Sequence, residues 1–382
     1  MQIQEIYDVD IYIDDLNIFE ASGVVFMGAN IFESISNPIP VCNLDLTIPL
    51  AWMDERTITD GTVIKFIVKC KDLNISEQYV FRLFNIIEME VLQKFMKLRL
   101  EGVIDFYNGY TSGNSYNMHT TTSAIFKAIA DANGLIPNID MTNDKQLWIA
   151  GEKNLYQFMC NICAHSYVDE TSCMFWAIDR YKNLLFKNLT TLFRTRQNEI
   201  FTFKQMTKPD FKNKLFAYSK AKGSIQSGTN NLKNDGYGGE DFAFNLSTYS
   251  FDTITAKKVV AESKMINISK DLSKGLSESW YAFNVGNFHE NYFKAHKQNK
   301  RILSTYSTYV TLNCQFFQPY RLAQIVQYEY LDSQDENNKL FALSGVYMID
   351  AIHIEISPNA ITSDVELVMQ GMNSKPITQV IF

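Results

Sequence analysis

Apolar and polar positions alternate over much of the first hundred residues. Val9, Ile11 and Ile13 are separated by Asp10 and Tyr12, and Cys42, Leu44, Leu46, Ile48 and Leu50 by Asn43, Asp45, Thr47 and Pro49. After a turn at Asp60-Gly61 the rhythm returns at Ile64, Phe66, Val68 and Cys70, and again at Met96, Leu98 and Leu100. A period of two puts one face of each segment against a core, which predicts strands. Short strands separated by turns imply a sandwich or barrel, so residues 1–105 are expected to form one antiparallel β domain.

The pattern changes beyond Tyr107. Residues 113–116 read as a loop, and Thr120-Thr121-Thr122 offers an N-cap for a helix with the stripe Ala124, Ile125, Ala128, Ile129 and Ala132, closed by Gly134. Gln146–Ile149 reads as a short strand and Leu155–His165 as a second helix. Met174–Ile178 and Leu184–Phe186 flank the turn residues Asp179–Asn183 as a hairpin. This makes 106–205 an α+β insert. Strand character resumes at Leu215–Ser219, and a polar stretch over 223–239 opens a second insert, 223–304. That insert ends in a helix from Phe288 to Leu303, capped by Asn287, with Tyr292, Phe293 and His296 on one face. Residues 206–222 and 305–372 form another β unit, and 373–382 a tail whose apolar end (Val380, Ile381, Phe382) is expected to dock onto a partner.

A chain of 382 residues exceeds the size of one small core. With 46% apolar and 20% charged residues it is expected to fold. The run Val24–Ala29 is far short of the ~20 residues that cross a bilayer. Glu5, Asp8, Asp10, Asp14 and Asp15 stand where a signal peptide needs basic and then apolar residues, so a soluble chain made in the cytoplasm is expected. The net charge of −7 argues against binding nucleic acid by phosphate neutralisation. The basic group Lys294, His296, Lys297, Lys300 and Arg301 reads as the solvated side of one helix.

Little in the sequence speaks for catalysis. Cys160-x-x-Cys163-x-His165, with Cys173 beyond, has spacing that begins many zinc or redox sites, but no second ligand pair follows. Leu155, Phe158, Met159, Ile162 and Cys163 also fall on one helical stripe, which makes Cys163 a core residue. Gly236-Tyr237-Gly238-Gly239 lacks both the preceding apolar strand and the following Lys-Ser/Thr of a phosphate loop. No Gly-x-Ser-x-Gly is present. His289-Glu290 is followed by His296 at seven positions, two helical turns rather than the one that metallopeptidase ligands need. The five histidines, His119, His165, His289, His296 and His353, read as separate surface or core residues. No catalytic, metal or cofactor site is expected.

The final β block carries a pattern of its own. Leu343-Ser344-Gly345-Val346-Tyr347 runs into Ile352-His353-Ile354, then a turn at 357–360 and the strand Thr362–Met369 with Leu367. This resembles the second barrel of tail hub proteins, the central baseplate hub of contractile-tailed bacteriophages and its secretion-spike relatives. Gly345, Tyr347, His353 and Leu367 carry the resemblance. The helix–strand–helix–hairpin order of the first insert is similar to that family too, and the match runs from residue 1 to about 372. One departure is Pro319-Tyr320-Arg321, where relatives usually have Pro-Gly before the next strand.

The resemblance implies a mainly β chain with α+β inserts, in which two similar tube-like antiparallel barrels form and two smaller domains are inserted. It implies a homotrimer whose six barrels match a six-fold tail tube while a three-fold central spike binds the other face. Other baseplate proteins are implied as neighbours, with a channel for tape-measure protein and DNA. The setting implied is the virion, assembled in the host cytoplasm, and no enzyme activity is expected. The 27 Phe and 20 Tyr supply apolar faces for such a ring. Three chains at −7 carry −21, so an acidic channel wall would let DNA pass without sticking. Two other classes fit parts of the sequence. One is a carbohydrate- or receptor-binding β protein using Trp148 and Trp280 as stacking platforms; the other is an enzyme using Cys160, Cys163 and His165.

Overall fold

The alternating segments form strands, and those strands join into one sheet. The structure, a computed structural model, describes residues 2–3, 7–55, 58–70, 73–106, 115–150, 153–194, 200–225, 240–245, 250–255, 279–283, 289, 291–315, 317–332, 335–339 and 343–370. Gly236–Gly239, Asn287 and the tail 373–382 lie outside the described residues.

The fold is mainly β. Its first half is an antiparallel run in the order Gln2–Ile3, Tyr7–Ile13, Val63–Cys70, Ile75–Leu92, Phe95–Ile104, Val41–Pro49 and Val25–Ser34. Burial alternates almost perfectly along Val41–Pro49 and Val63–Cys70, as the sequence requires. Val25–Ser34 then pairs with Gly345–Ile356, from Ala29↔Ile356 to Ser34↔Ala351. From Gly345–Ile356 the sheet branches. One branch continues through Ile325–Tyr328, Phe201–Gln205 and Leu215–Tyr218; the other runs through Ile361–Gln370, Tyr306–Cys314 and Lys220–Ile225. Phe201–Gln205 is parallel to both of its neighbours. With Leu16–Asn17, which pairs with Tyr7–Ile13, these make a single sheet of 15 strands among the described residues. The two β units expected from the sequence are therefore hydrogen-bonded to each other across the seam Ala29–Ser34/Ala351–Ile356.

Pairing at the seam is the feature sequence reading lacked. Val25–Ser34 looked only like an apolar run, and the 18-residue strand Ile75–Leu92 was not foreseen. Its bulges between Leu83/Asn85 and Ile86/Glu88 shift the alternation twice, which hides it from a period-two search.

The first insert follows its pattern closely. The helix Thr122–Ala132 is capped by Thr121, whose hydroxyl accepts from Ala124 N, and the chain leaves it through Gly134 at φ +62°. The helix Leu155–Ala164 opens with a capping box between Asn154 and Gln157. The hairpin Met174–Ile178/Asn183–Asn188 forms as expected, and Ile136–Ile139 adds to it in parallel. Part of the expected loop before the first helix is a strand, Ser115–Thr120, paired with Gln146–Ile149.

In the second insert Glu240–Asn245, Ser250–Thr255 and Ser279–Phe283 form a small sheet. The helix that follows spans Tyr292–Thr305 and starts at Asn291, four positions later than expected. Its buried face is also different: Ala295, Gln298, Asn299 and Ile302 point inward, while Tyr292 and His296 are half-buried. Gln and Asn read as solvent-facing in a sequence, but here Gln298 donates to the carbonyls of Asp169 and Ser172 (both 2.7 Å), and Asn299 donates to that of Ala164 (3.0 Å). They close the carbonyl end of the helix Leu155–Ala164 and the loop beyond it, groups that would otherwise be buried unpaired. Among the described residues no helix is long and apolar enough to cross a membrane.

Candidate functional site

Two features stand out: a buried polar joint that fixes the hairpin turn on the sheet, and an apolar ribbon left exposed among the described residues.

The joint centres on Arg180, the largest completely buried side chain among the described residues. It sits in the hairpin turn that Asp179 builds by accepting from the backbone of Tyr181 and Asn183 (both 2.9 Å). The backbone N–H of Arg180 donates to Glu33 (2.7 Å), and its guanidinium forms an ion pair with the same carboxylate. The guanidinium also donates to the Tyr320 carbonyl (2.7 Å) and the Tyr181 hydroxyl (2.9 Å), and lies over the ring of Tyr79. Arg321 covers the other side of Tyr181 at 3.4 Å and approaches Glu77 at 3.6 Å. Burial pushes the Glu33 carboxyl up, while the arginine beside it opposes this; Glu33 in turn holds Arg180 protonated. One side chain thus ties together the first β half, the insert and the second β half. Pro319-Tyr320-Arg321, the departure noted in the sequence, supplies two of its contacts.

The ribbon is the outer part of the hairpin Ile75–Leu92/Phe95–Ile104. Ile75–Leu92 pairs with Val63–Cys70 only through Ile75–Arg82, and Leu83 still bonds to Gly61 and Thr62, so among the described residues its edge from Phe84 to Leu92 has no strand beside it. Its two faces differ. One carries charges: Arg99 bonds to Asp45 at 2.7 Å and lies 3.6 Å from Glu88, and Lys97 reaches Glu90 at 3.2 Å. The other continues the core face, where Ile86, Met89 and Val91 stand opposite Leu100, Leu98 and Met96. Leu98 and Met96 are buried, yet Met89 and Val91 are 55% and 60% exposed; Phe84, Ile87 and Phe95 are exposed as well. A long apolar edge left bare invites another chain. The charge alternation on one face and the bulges kept this ribbon out of the sequence reading.

Of the four residues that carried the resemblance, His353 lies on the seam, and Gly345, Tyr347 and Leu367 lie on the strands beyond it. Gly345 and Tyr347 pair with Tyr328 and Val326 on the neighbouring strand. Tyr347 is buried, donates to the Leu343 carbonyl (2.7 Å) and meets Tyr328 edge-on. His353 pairs with Phe32 across the seam, bonds through Nε2 to the side-chain oxygen of Asn30 (3.0 Å) and touches the Phe32 ring. Leu367 is buried opposite Ile349 and Val310. All four are placed in the sheet and none lies on the ribbon.

Cys160, Cys163 and His165 share one helix end. Cys163 and Cys173 are buried, and burial drives both thiols up. Among the described residues no group of three or more His, Cys, Asp or Glu could hold a metal. The histidines correct the sequence reading, which kept them apart. His165 stacks on Tyr292 at 3.8 Å, its Nδ1 lies 3.2 Å from the Tyr292 carbonyl, and His296 is 4.8 Å away. His289 Nε2 lies 3.0 Å from the His165 carbonyl. Desolvation first, with the neighbouring histidines adding to it, pushes His165 down to about 4. This is a packed joint between two helices. Trp148 is buried at 2% exposure and offers no platform to a sugar; the Trp280 side chain lies outside the described residues.

The fold defined by this sheet, seam and insert is that of phage tail proteins. The chain matches a tail protein from Neisseria meningitidis MC58 with a TM-score of 0.58 at 8% identity, over 95% of this chain and 96% of that one. It matches the 43 kDa tail protein of prophage MuSo2 from Shewanella oneidensis with a TM-score of 0.55 at 10% identity, over 94% and 97%. A chain of the Francisella PdpA–VgrG complex gives 0.49 at 8% identity, over 99% and 60%. The sequence matches no family model and no curated protein. The resemblance to tail hub proteins read from the terminal strands is thus met, at the level of the fold, by solved structures of two phage tail proteins.

Proposed function

We propose that this chain is a structural virion protein, the homotrimeric hub of a phage tail or baseplate. In this reading the two β halves of each chain are two similar tube-like units. Three chains present six such units to the tail tube on one face and three-fold symmetry to the central spike on the other. Other baseplate proteins bind around the ring, and tape-measure protein and DNA pass through its acidic channel without base-specific contacts. Gly345, Tyr347, His353 and Leu367 keep the halves at a fixed angle, and the chain catalyses nothing.

The observation that carries this reading is the likeness in fold to two tail proteins over at least 94% of the chain. The bare ribbon supports it, because an amphipathic edge with Met89 and Val91 exposed is suited to burial against a neighbour. Cryo-EM of the native tail tests it: three copies should encircle the axis, with successive β units about one-sixth of a turn apart. Any other copy number, or a position away from the axis, would refute the hub role.

A further inference from the structure

An open cavity of about 610 Å³ lies where the sheet, the first insert and the helix Tyr292–Thr305 meet. It is within the ~300–1,000 Å³ range of small-molecule sites. Its walls are largely apolar, with Met348 and Val368 from the sheet, and aromatic, with Tyr156, Trp176 and Tyr309. One carboxylate, that of Asp350, is part of the lining.

Asp350 owes its position to a defect in the sheet. The register of Gly345–Ile356 against Ile361–Gln370 slips between Ile349 and Ala351, so Asp350 is the extra, unpaired residue. A bulge of this kind re-aims a side chain that regular pairing would place elsewhere. The Asp350 backbone carbonyl accepts from Ile35 N (2.9 Å), which pins the bulge, but no hydrogen bond or ion pair to its carboxylate is found among the described residues. Burial, with Glu366 on the next strand adding to it, pushes this carboxyl up to about 6. An acid whose charge is this costly gains most from a cation brought to it, and the aromatic rings in the same lining can attract that charge as well.

We propose that this cavity binds an alkylammonium group, the cationic head held by Asp350 among the aromatic rings and the hydrocarbon body against Met348 and Val368. A free organic amine and a lysine side chain of a neighbouring protein share this chemistry.

Calorimetric titration of the full chain near pH 8 tests it. n-Hexylammonium should bind saturably, and hexan-1-ol more weakly. Asp350→Asn should weaken the amine by about tenfold or more, as loss of a desolvated charge partner does, and leave the alcohol unchanged. Equal affinities for amine and alcohol, an unchanged amine affinity in Asp350→Asn, or no saturable binding would each overturn the proposal. Should Asp350→Asn not fold, the unaltered chain decides through the amine and the alcohol alone, and equal affinities overturn the proposal. N-acetyl-lysine methylamide separates the sources: tighter than hexylammonium, it identifies a protein lysine; weaker, a free amine.

Discussion

Arg180 shows what a sequence hides at the scale of one residue. Asp179-Arg180-Tyr181-Lys182-Asn183 has the composition of an exposed turn, and the turn does form, with Lys182 at φ +64°. Its arginine is nonetheless fully buried, because the partner that makes burial tolerable, Glu33, lies 147 positions away. Replacing Arg180 with Met leaves Glu33 buried and unpaired, so a loss of about 3–5 kcal/mol is expected, read as a fall in Tm. Adding Glu33→Gln should recover part of it; a double variant no more stable than the single one would show that the pair is not the cause. His165 and Asp350 make a second residue-scale prediction. His165 sits at about 4 against an ordinary 6.5, so the unfolded chain binds the extra proton between those values and stability falls on acidification. Asp350 sits at about 6 against 3.8, so the folded chain binds the proton and stability rises on acidification. The two slopes oppose each other between about pH 4 and 6. Asp350→Asn should therefore steepen the loss of Tm on acidification, and His165→Asn should lessen it. Identical pH profiles for wild type and both variants would exclude this assignment.

At the scale of elements, the legible strands are those with one solvent face and an even register. Val41–Pro49 and Val63–Cys70 bury every second residue and were plain from the sequence. Ile75–Leu92 was not, since two bulges reset its parity and its outer part keeps apolar residues in the open. The helix Tyr292–Thr305 was found with the wrong buried face, because Gln298 and Asn299 turn inward to satisfy carbonyls of another helix. The ribbon also yields a prediction. Met89→Lys with Val91→Lys changes exposed positions, so the monomer's Tm should move by no more than about 0.5 kcal/mol equivalent. Self-association, measured by light scattering, should fall sharply. Retained association in the double variant would remove the ribbon from the interface.

For the whole molecule, the mainly β character was readable, and so was the resemblance in the last strands. How the β halves meet was not. Pairing of Val25–Ser34 with Gly345–Ile356 depends on two segments near opposite ends of the chain, and neither carries a local signal of the other. Both tail proteins retain this fold at 10% identity or less. That is what a fold specified by alternation, bulges and a few buried polar joints permits, since many sequences satisfy the same pattern.

The seam also sets a timetable. Asn30 and His353, bonded across it, are separated by 323 positions. At roughly 5–20 residues per second, the ribosome exposes the first strand for about 16 s to a minute before its partner emerges. The first half must wait through that interval with one edge unpaired, and the nascent chain is most vulnerable to wrong partners then. Completion of the sheet is a late event, set by the moment Gly345–Ile356 leaves the ribosome.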